Sequence, residues 1–319
     1  MQNNSATVVV LGTGGTIAGT AASSADNVGY RAGQIGVAQL VAAVPALASQ
    51  PLEAEQVAQL DSKDMDHATW QRLAQRLAHH LARPEVAGVV VTHGTDTLEE
   101  TAWFLQRVLA PAKPVVLTAA MRPATALGPD GPQNLLDAVI VARTAGVSGV
   151  VCVLAGRVHG PAEVRKHHGY QVDAFDSGDA GPLARIEEGQ LVVLRPWPAG
   201  AALGLARVAG PVAHWPRVAV LCSHAGADPA VMAALASALL GAGVDGIVVE
   251  GTGNGTVHRA VEDALLPAAE AGLPVWRASR CQGGGVVGAP AQAWPACGVL
   301  SPAKARVELM LQLMQQPGG

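Results

Sequence analysis

Residues 7–16, TVVVLGTGGT, predict a buried β-strand that ends in a glycine turn. The first half, residues 7–11, is a β-branched apolar run, which is typical of a parallel strand covered by helices on both faces. The adjacent glycines after it permit a sharp turn. The turn would present the Thr16 hydroxyl at the carboxyl edge of the sheet, where ligands bind in open α/β folds.

Two familiar glycine motifs do not fit this turn. A GxGxxG dinucleotide pattern that starts at Gly12 requires a glycine where Ile17 stands, and no Gly-Lys-Ser/Thr sequence follows for a phosphate-binding loop. Two interpretations remain open from this segment alone. Thr16 either caps an ordinary βα turn or serves as a reactive hydroxyl.

Apolar runs alternate with amphipathic stretches along the rest of the chain. The predicted fold is therefore two α/β domains with mainly parallel sheets, a larger flavodoxin-like N-terminal domain and a smaller C-terminal domain. The boundaries are residues 1–195 for the N-terminal catalytic domain, 196–216 for a linker rich in Pro, Ala and Gly, and 217–319 for the C-terminal domain. Further strands are predicted at residues 86–92, 114–118, 149–154, 217–222, 245–250 and 274–278. Helices are predicted after the N-cap Asp66, from near Thr97, and at residues 134–143, 230–240, 258–271 and 302–314.

Composition excludes several classes of function. The 319-residue chain is 50% hydrophobic and only 14% charged, so it can bury a large core. A formal net charge of −4 with no basic block argues against nucleic-acid binding. The longest apolar runs, such as residues 8–11, are too short to span a bilayer, and the polar N-terminus predicts a cytoplasmic location. The four cysteines are widely spaced without a CxxC pair, so neither a disulfide framework nor a zinc site is indicated.

Two further segments contain candidate catalytic groups. Residues 19–33 are rich in small residues and include Tyr30, which suggests a lid that delivers this side chain to Thr16. Residues 93–100, HGTDTLEE, place hydroxyl and carboxylate groups immediately after a strand and before a helix. Capping by Thr95, Asp96 or Thr97 explains part of this cluster. It does not explain two glycine–threonine turns on strands that could be neighbours.

Together these segments resemble bacterial-type L-asparaginases. The two signature segments are GGTIAG at residues 14–19 and THGTDT at residues 92–97. Similar segments follow the family order across most of the chain: DSKDM at 61–65, AMRP at 120–123, DGPQNL at 130–135, VRK at 164–166 and GNG at 253–255.

The resemblance implies hydrolysis of the L-asparagine side-chain amide by double displacement. Thr16 would be the nucleophile, with Tyr30 and the set Thr95–Lys166–Asp96 as the two sources of a base, and which base serves which step stays open. Judged alone, RKHH at residues 165–168 is more typical of a solvated basic loop. The resemblance also implies a substrate-binding set: Gly15, Asp61, Ser62, Lys63, Gly94, Ala120 and Asn254.

Within that set, Ser62 would bind the substrate carboxylate and Asp96 its ammonium group. Backbone N–H groups of the two turns would form the oxyanion hole. The family acts without a metal or organic cofactor and assembles as a homotetramer built from dimers. By resemblance, Asn254 of each subunit completes a partner's site.

Lys63 departs from the family pattern, which has a neutral or acidic side chain at this position. Its ammonium would repel that of the substrate unless it points away or pairs with Asp61 or Asp64. Two alternatives to a strict L-asparaginase stay open. These are a broader glutaminase-asparaginase and a non-catalytic amino-acid sensor on the same scaffold.

Overall fold

The computed structural model describes residues 6–288 and 294–314. The chain divides into two compact units, Met1–Ala209 and Gly210–Gly319. Within the described residues, the first unit contains an eight-stranded sheet, a two-stranded ribbon and four α-helices. Its strands are β1 (Thr7–Gly14), β2 (Leu52–Leu60), β3 (Val86–Thr92), β4 (Val115–Thr118), β5 (Val150–Leu154), β6 (Arg157–His159), β7 (Arg165–Lys166), β8 (Phe175–Asp176), β9 (Ala184–Glu187) and β10 (Gln190–Val193). Its helices are α1 (Val37–Ala42), α2 (His67–Leu81), α3 (Leu98–Leu109) and α4 (Gly131–Arg143).

The large sheet has the order β10-β9-β6-β5-β4-β3-β1-β2. Its parallel part, β2-β1-β3-β4-β5, has the flavodoxin-like order and confirms the predicted fold class. The antiparallel strands β6, β9 and β10 extend it on one side. The apolar runs of β3, β4 and β5 are almost wholly buried, as expected for strands between two layers of helices.

Helix α2 shows how the local sequence sets an element. Asp66 is its N-cap and accepts a hydrogen bond from the backbone N–H of Thr69 at 2.7 Å, which confirms the predicted helix start. Trp70, Leu73 and Leu77 recur at helical spacing and are buried against the sheet. Helix α4 begins at Gly131, three residues before the prediction, because Pro132 suits the first turn of a helix.

The second unit contains a parallel three-stranded sheet in the order β11-β12-β13. Its strands are β11 (Val218–Cys222), β12 (Gly246–Gly251) and β13 (Val275–Ser279), and its helices are α5 (Pro229–Gly241), α6 (Arg259–Glu270) and α7 (Pro302–Leu313). Each of these elements was predicted within about two residues, an ordinary uncertainty for element boundaries. None of the helices in the described part of either unit is long and apolar enough to cross a membrane.

Candidate active site

Thr16 lies in a glycine turn at the carboxyl end of β1. Gly14 and Gly15 have φ angles of 106° and 83°, which favour glycine. The Gly15 N–H donates to the Leu60 carbonyl at 2.9 Å, and Thr16 then opens a short 3₁₀ helix. The Thr16 residue is buried, with 6% of its surface exposed. The turn therefore holds the hydroxyl at the sheet edge, as the sequence predicts.

The second glycine turn meets the first one. A Cβ atom added to Gly15 would lie 2.3 Å from the Gly94 Cα atom, and one added to Gly94 would lie 2.4 Å from Ser62 Oγ. Only glycine permits so close an approach of the two backbones. The strands β1 and β3 are hydrogen-bonded neighbours, so their turns share one edge of the sheet. Gly15, Gly94 and Ser62 are thus packed together.

The capping interpretation of residues 95–97 is only partly right. Thr97 is the N-cap residue of α3, but its side chain makes no capping hydrogen bond. Instead its hydroxyl donates to the Ser62 carbonyl at 2.8 Å, while the Asp96 backbone N–H donates to Ser62 Oγ at 3.2 Å. These bonds fasten the loop before α2 to the loop before α3.

Tyr30 on the lid, residues 19–33, lies next to Thr16. Its phenolic oxygen is 2.6 Å from Thr16 Oγ1, and either hydroxyl can donate. Thr20 and Arg31 form an antiparallel bridge that closes the base of the lid. A Cβ atom on Gly19 would lie 2.8 Å from Tyr30 Cδ2, so the ring packs directly on this glycine. The position of Tyr30 is that expected of a group that exchanges a proton with Thr16.

Lys166 joins the site from the β7–β8 ribbon. Its Nζ atom lies 2.9 Å from Thr95 Oγ1 and 2.6 Å from Asp96 Oδ1. The Glu99 carboxylate accepts the Lys166 backbone N–H at 3.1 Å, which ties the ribbon to the first turn of α3. The solvated-loop interpretation of this segment is therefore wrong for Lys166, whose side chain is 20% exposed and bonded on both sides.

The Lys63 side chain is not unpaired beside the site, because it forms an ion pair with Asp61. The Lys63 Nζ atom is 2.8 Å from Asp61 Oδ2 on an exposed surface. This hydrogen bond, followed by the charges of Asp61, Asp64 and Asp96, raises the pKa of Lys63. The Asp61 carboxylate therefore offsets part of the positive field of the Lys63 ammonium, and an exposed pair of this kind stabilises the fold little.

Ala120 and Asn254 lie in different units. Ala120 is buried just after β4, and the preceding Ala119 carbonyl accepts from Asn134 Nδ2 at 2.9 Å. Asn254 belongs to a glycine-flanked turn of the second unit. Its side-chain amide bonds twice to the Val287 backbone: Nδ2 donates to the carbonyl at 2.8 Å, and Oδ1 accepts the N–H at 2.7 Å.

Sequence reasoning missed the buried support beneath the second turn. His93 is fully buried, and its Nδ1 lies 2.7 Å from the Gly94 carbonyl, so Nδ1 carries the proton. Its Nε2 then accepts from the Thr101 hydroxyl at 3.0 Å, and Trp70 Nε1 donates to that same hydroxyl oxygen at 2.8 Å. Burial lowers the pKa of His93 to about 4. The sequence did contain one signal for this support. Thr101 is a threonine on the apolar face of α3, three residues after Leu98.

The donor set favours chemistry by side-chain groups. Within residues 6–288 and 294–314, no group of three or more His, Cys, Asp or Glu side chains could hold a metal ion. Hydroxyls, a lysine and carboxylates meet at the carboxyl edge of a parallel sheet. The fold and this edge together define a two-unit α/β protein with the groups of a hydroxyl-dependent hydrolase.

Comparison with known proteins agrees with this class. The chain matches the family "Asparaginase, N-terminal" over residues 7–199 and "Glutaminase/Asparaginase C-terminal domain" over residues 217–318. The protein belongs to the asparaginase family, and the resemblance inferred from its motifs is confirmed.

Two of its bacterial relatives match nearly the whole chain. L-asparaginase 2 of Escherichia coli (strain K12) is 37% identical over 97% of this chain and 89% of its own length. The glutaminase-asparaginase of Pseudomonas fluorescens biotype A is 34% identical over 97% of this chain and 86% of its own. A crystal structure of a probable cytoplasmic L-asparaginase from Campylobacter jejuni superposes with a TM-score of 0.91 at 36% identity, covering 98% of this chain and 96% of that one.

Proposed function

We propose that this protein is an L-asparaginase that converts L-asparagine and water into L-aspartate and ammonia. The observation that carries the proposal is the 2.6 Å contact between Thr16 Oγ1 and the Tyr30 hydroxyl, beside the Thr95–Lys166–Asp96 set. A threonine hydroxyl is a poor nucleophile unless a positioned base takes its proton, and both arrangements provide one.

In the proposed first step, Thr16 Oγ attacks the side-chain amide carbon of L-asparagine. The proton of Thr16 passes to the Tyr30 oxygen, 2.6 Å away, while the Tyr30 hydroxyl gives its own proton to the amide nitrogen, which leaves as ammonia as the C–N bond breaks. An ester between the Thr16 oxygen and the substrate acyl group remains. Backbone N–H groups of the two packed glycine turns are the proposed oxyanion donors, and such donors typically contribute about 3–4 kcal/mol each to transition-state stability.

In the proposed second step, water attacks the ester and releases L-aspartate. Thr95 and Lys166 serve this step because their polar atoms form a connected path. The Thr95 hydroxyl passes its proton to Lys166 Nζ as Lys166 passes one of its own protons to Asp96 Oδ1, along contacts of 2.9 and 2.6 Å. Thr95 takes a proton from the attacking water in exchange. As the ester C–O bond breaks, the proton held on Asp96 returns through Lys166 and Thr95 to Thr16 Oγ, so the Thr16 hydroxyl is regenerated.

Substrate recognition is proposed for the loop that contains Ser62 and for Asp96. The Ser62 hydroxyl would bind the α-carboxylate, and the exposed side of the Asp96 carboxylate would bind the α-ammonium. Charge-assisted hydrogen bonds of this type are stronger than neutral ones and fix orientation. Gly15, Asp61, Gly94 and Ala120 would form the walls of this subsite, and Lys63 its outer rim.

A broader glutaminase-asparaginase is the second candidate. The relative from Pseudomonas fluorescens has that printed name at 34% identity, and the second family matched is described as glutaminase/asparaginase. L-Glutamine differs from L-asparagine by one methylene, and a site discriminates such a pair by only about 1–3 kcal/mol. The ratio of kcat/KM for the two amides decides between the candidates.

Assembly and location are proposed from separate observations. Helix α5 exposes Val231, Leu235 and Leu240, an apolar surface suited to a subunit interface. We infer a homotetramer of paired dimers in which Asn254 of the partner subunit completes each site. Light scattering should then give about four times the 32.3 kDa chain mass. A cytoplasmic location is proposed because the Campylobacter neighbour has that description, and cell fractionation tests it.

The decisive experiment compares ammonia release from L-asparagine by wild type, Thr16→Ala and Thr16→Ser. We expect Thr16→Ala to lose at least about a thousand-fold in kcat, since removing a nucleophile typically costs this much or more. Thr16→Ser retains a hydroxyl and should retain measurable turnover. If the wild type releases no ammonia while L-asparagine still raises its melting temperature, the protein is an amino-acid sensor and the enzymatic proposal fails.

A further inference from the structure

The lid that contains Tyr30 is docked on a second loop of the first unit. This loop, residues 124–127, follows β4 and is called the latch. The Ala124 N–H donates to the Gly19 carbonyl at 3.0 Å, and the Leu127 N–H donates to the Ser24 carbonyl at 3.1 Å. Between these backbone bonds, the Ala21 N–H donates to the Thr125 hydroxyl oxygen at 2.9 Å. The latch therefore holds residues 19–24 of the lid at three points.

The latch itself is firmly anchored. The Asp130 carboxylate accepts the Met121 N–H at 2.9 Å and the Arg122 N–H at 3.0 Å, one on each oxygen. The Arg122 guanidinium donates to the Gly128 carbonyl at 3.0 Å, and the buried Asn134 amide donates to Asp130 at 3.2 Å. A loop fixed at both ends can restrain a more mobile segment docked on it, because it loses little conformational entropy in doing so.

A continuous set of contacts leads from the latch to the candidate nucleophile. Thr20 is adjacent to Ala21 and exchanges backbone hydrogen bonds with Arg31 at 3.0 and 2.9 Å. Arg31 follows Tyr30, whose ring packs on Gly19 and whose hydroxyl lies 2.6 Å from Thr16 Oγ1. Loss of the Ala21 bond to Thr125 therefore weakens the docking of the segment that positions Tyr30.

We propose that Thr125 is a positioning residue for Tyr30, and that it holds the lid in the closed arrangement in which Tyr30 meets Thr16. Thr125 touches no reacting atom in this assignment, and its importance for turnover rests on the proposed function. Its hydroxyl is the side-chain component of the latch, whereas the flanking bonds from Ala124 and Leu127 are made by backbone groups that substitution leaves in place.

Hydrogen exchange at the lid tests the assignment without any substrate. Thr125→Val has nearly the same shape but no acceptor for the Ala21 N–H, and Thr125→Ser keeps the acceptor. One net hydrogen bond shifts an opening equilibrium by about five-fold. The informative amides are those of Thr20 and Arg31, because they bond to each other and not to Thr125. Their exchange reports the open population of the lid.

We expect the Thr20 and Arg31 amides to exchange about five-fold faster in Thr125→Val and within two-fold of wild type in Thr125→Ser. The matched control is Thr144→Val, which removes another threonine hydroxyl bond, to the Ile140 carbonyl, at the end of α4. Unchanged exchange in Thr125→Val, or an equal rise in Thr125→Ser or in the control, would overturn the proposal.

A kinetic measurement then links the latch to the reaction. A five-fold rise in a small open population leaves most of the lid closed, so a loss of kcat/KM for L-asparagine in Thr125→Val reports misplacement of Tyr30 within the closed lid. We expect a loss of about two- to five-fold, with recovery in Thr125→Ser. Faster exchange combined with unchanged kcat/KM would overturn the positioning role of Thr125. If no variant and no wild type releases ammonia, the exchange data still decide the latch while the proposed function fails.

Discussion

Replacing Thr101 with valine should destabilise the first unit by removing the hydroxyl that serves two buried groups. Thr101 Oγ1 donates to His93 Nε2 at 3.0 Å and accepts from Trp70 Nε1 at 2.8 Å, and Thr101 itself is fully buried. Valine has nearly the same volume, so no cavity forms and the change is confined to hydrogen bonding.

The magnitude follows from the burial of these groups. Each of the two lost hydrogen bonds contributes about 1 kcal/mol net, and His93 Nε2 keeps its lone pair in an apolar environment without its donor, which adds about 1–3 kcal/mol. We therefore expect the free energy of unfolding to fall by about 3–5 kcal/mol. His93 also donates to the Gly94 carbonyl, so the loss originates directly beneath the second glycine turn.

Urea unfolding at pH 8, followed by tryptophan fluorescence, measures this loss. At that pH His93 is neutral in both the folded and the unfolded protein, so titration does not contribute. Thr101→Ser keeps the hydroxyl and is the matched variant, expected to lose less than half as much stability. A loss below about 0.5 kcal/mol in Thr101→Val, or an equal loss in both variants, would refute the assigned hydrogen-bond chain.

Two further predictions concern charge. Burial lowers the pKa of His93 and of His159 to about 4, so below about pH 6.5 the unfolded chain binds protons that the folded protein refuses. The contribution of these histidines to stability is therefore complete above pH 6.5 and should fall as the pH drops toward 4, by up to about 3 kcal/mol per histidine. Urea unfolding between pH 6.5 and 5 should show that the free energy of unfolding falls less steeply with pH in His159→Asn than in wild type. Equal slopes in the two proteins would contradict the assignment. Lys63→Gln removes a cation whose charge acts on Asp96, so KM for L-asparagine should decrease by up to about five-fold at low ionic strength and by less in 0.5 M salt. Lys113→Gln is the control, because Lys113 donates to the Arg83 backbone carbonyl, away from the site. An unchanged or higher KM in Lys63→Gln would contradict repulsion between Lys63 and the substrate ammonium.

The parallel strands were predictable because burial on both faces leaves a clear signal. β1, β3 and β5 are short apolar runs between turn residues, and helices with one apolar face lie between them. β2 was missed because it is an edge strand with exposed positions. Its Glu53 and Glu55 form ion pairs with Arg83 and Arg76, at 2.7 and 2.6 Å. In the sequence, acidic residues at alternate positions look like part of a solvated loop. Their arginine partners lie in the region of the neighbouring helix, and only the structure shows the pairing.

The site residues also differ in how well the sequence alone could place them. Thr16, Thr95 and Asp96 follow predicted strands directly, so sheet topology alone brings them to one edge. Lys166 is different, because its strand β7 has two residues and pairs only with β8, and neither has a periodic pattern. Its placement depends on long-range contacts with Glu99 and Asp96, which spacing along the chain does not contain.

The contact between the two glycine turns explains why the site could be predicted only from both signature segments together. Gly15 and Gly94 approach so closely that a Cβ atom on Gly15 would lie 2.3 Å from the Gly94 Cα atom. A single glycine–threonine turn needs only to connect its own strand to the next helix. Helix capping is then enough to explain its threonine. Two such turns pressed together bring the Thr16 and Thr95 segments to one place, and Tyr30 and Lys166 then approach this place from a lid and from a ribbon. The proposed chemistry by paired hydroxyls therefore depends on the contact between the turns rather than on either turn alone.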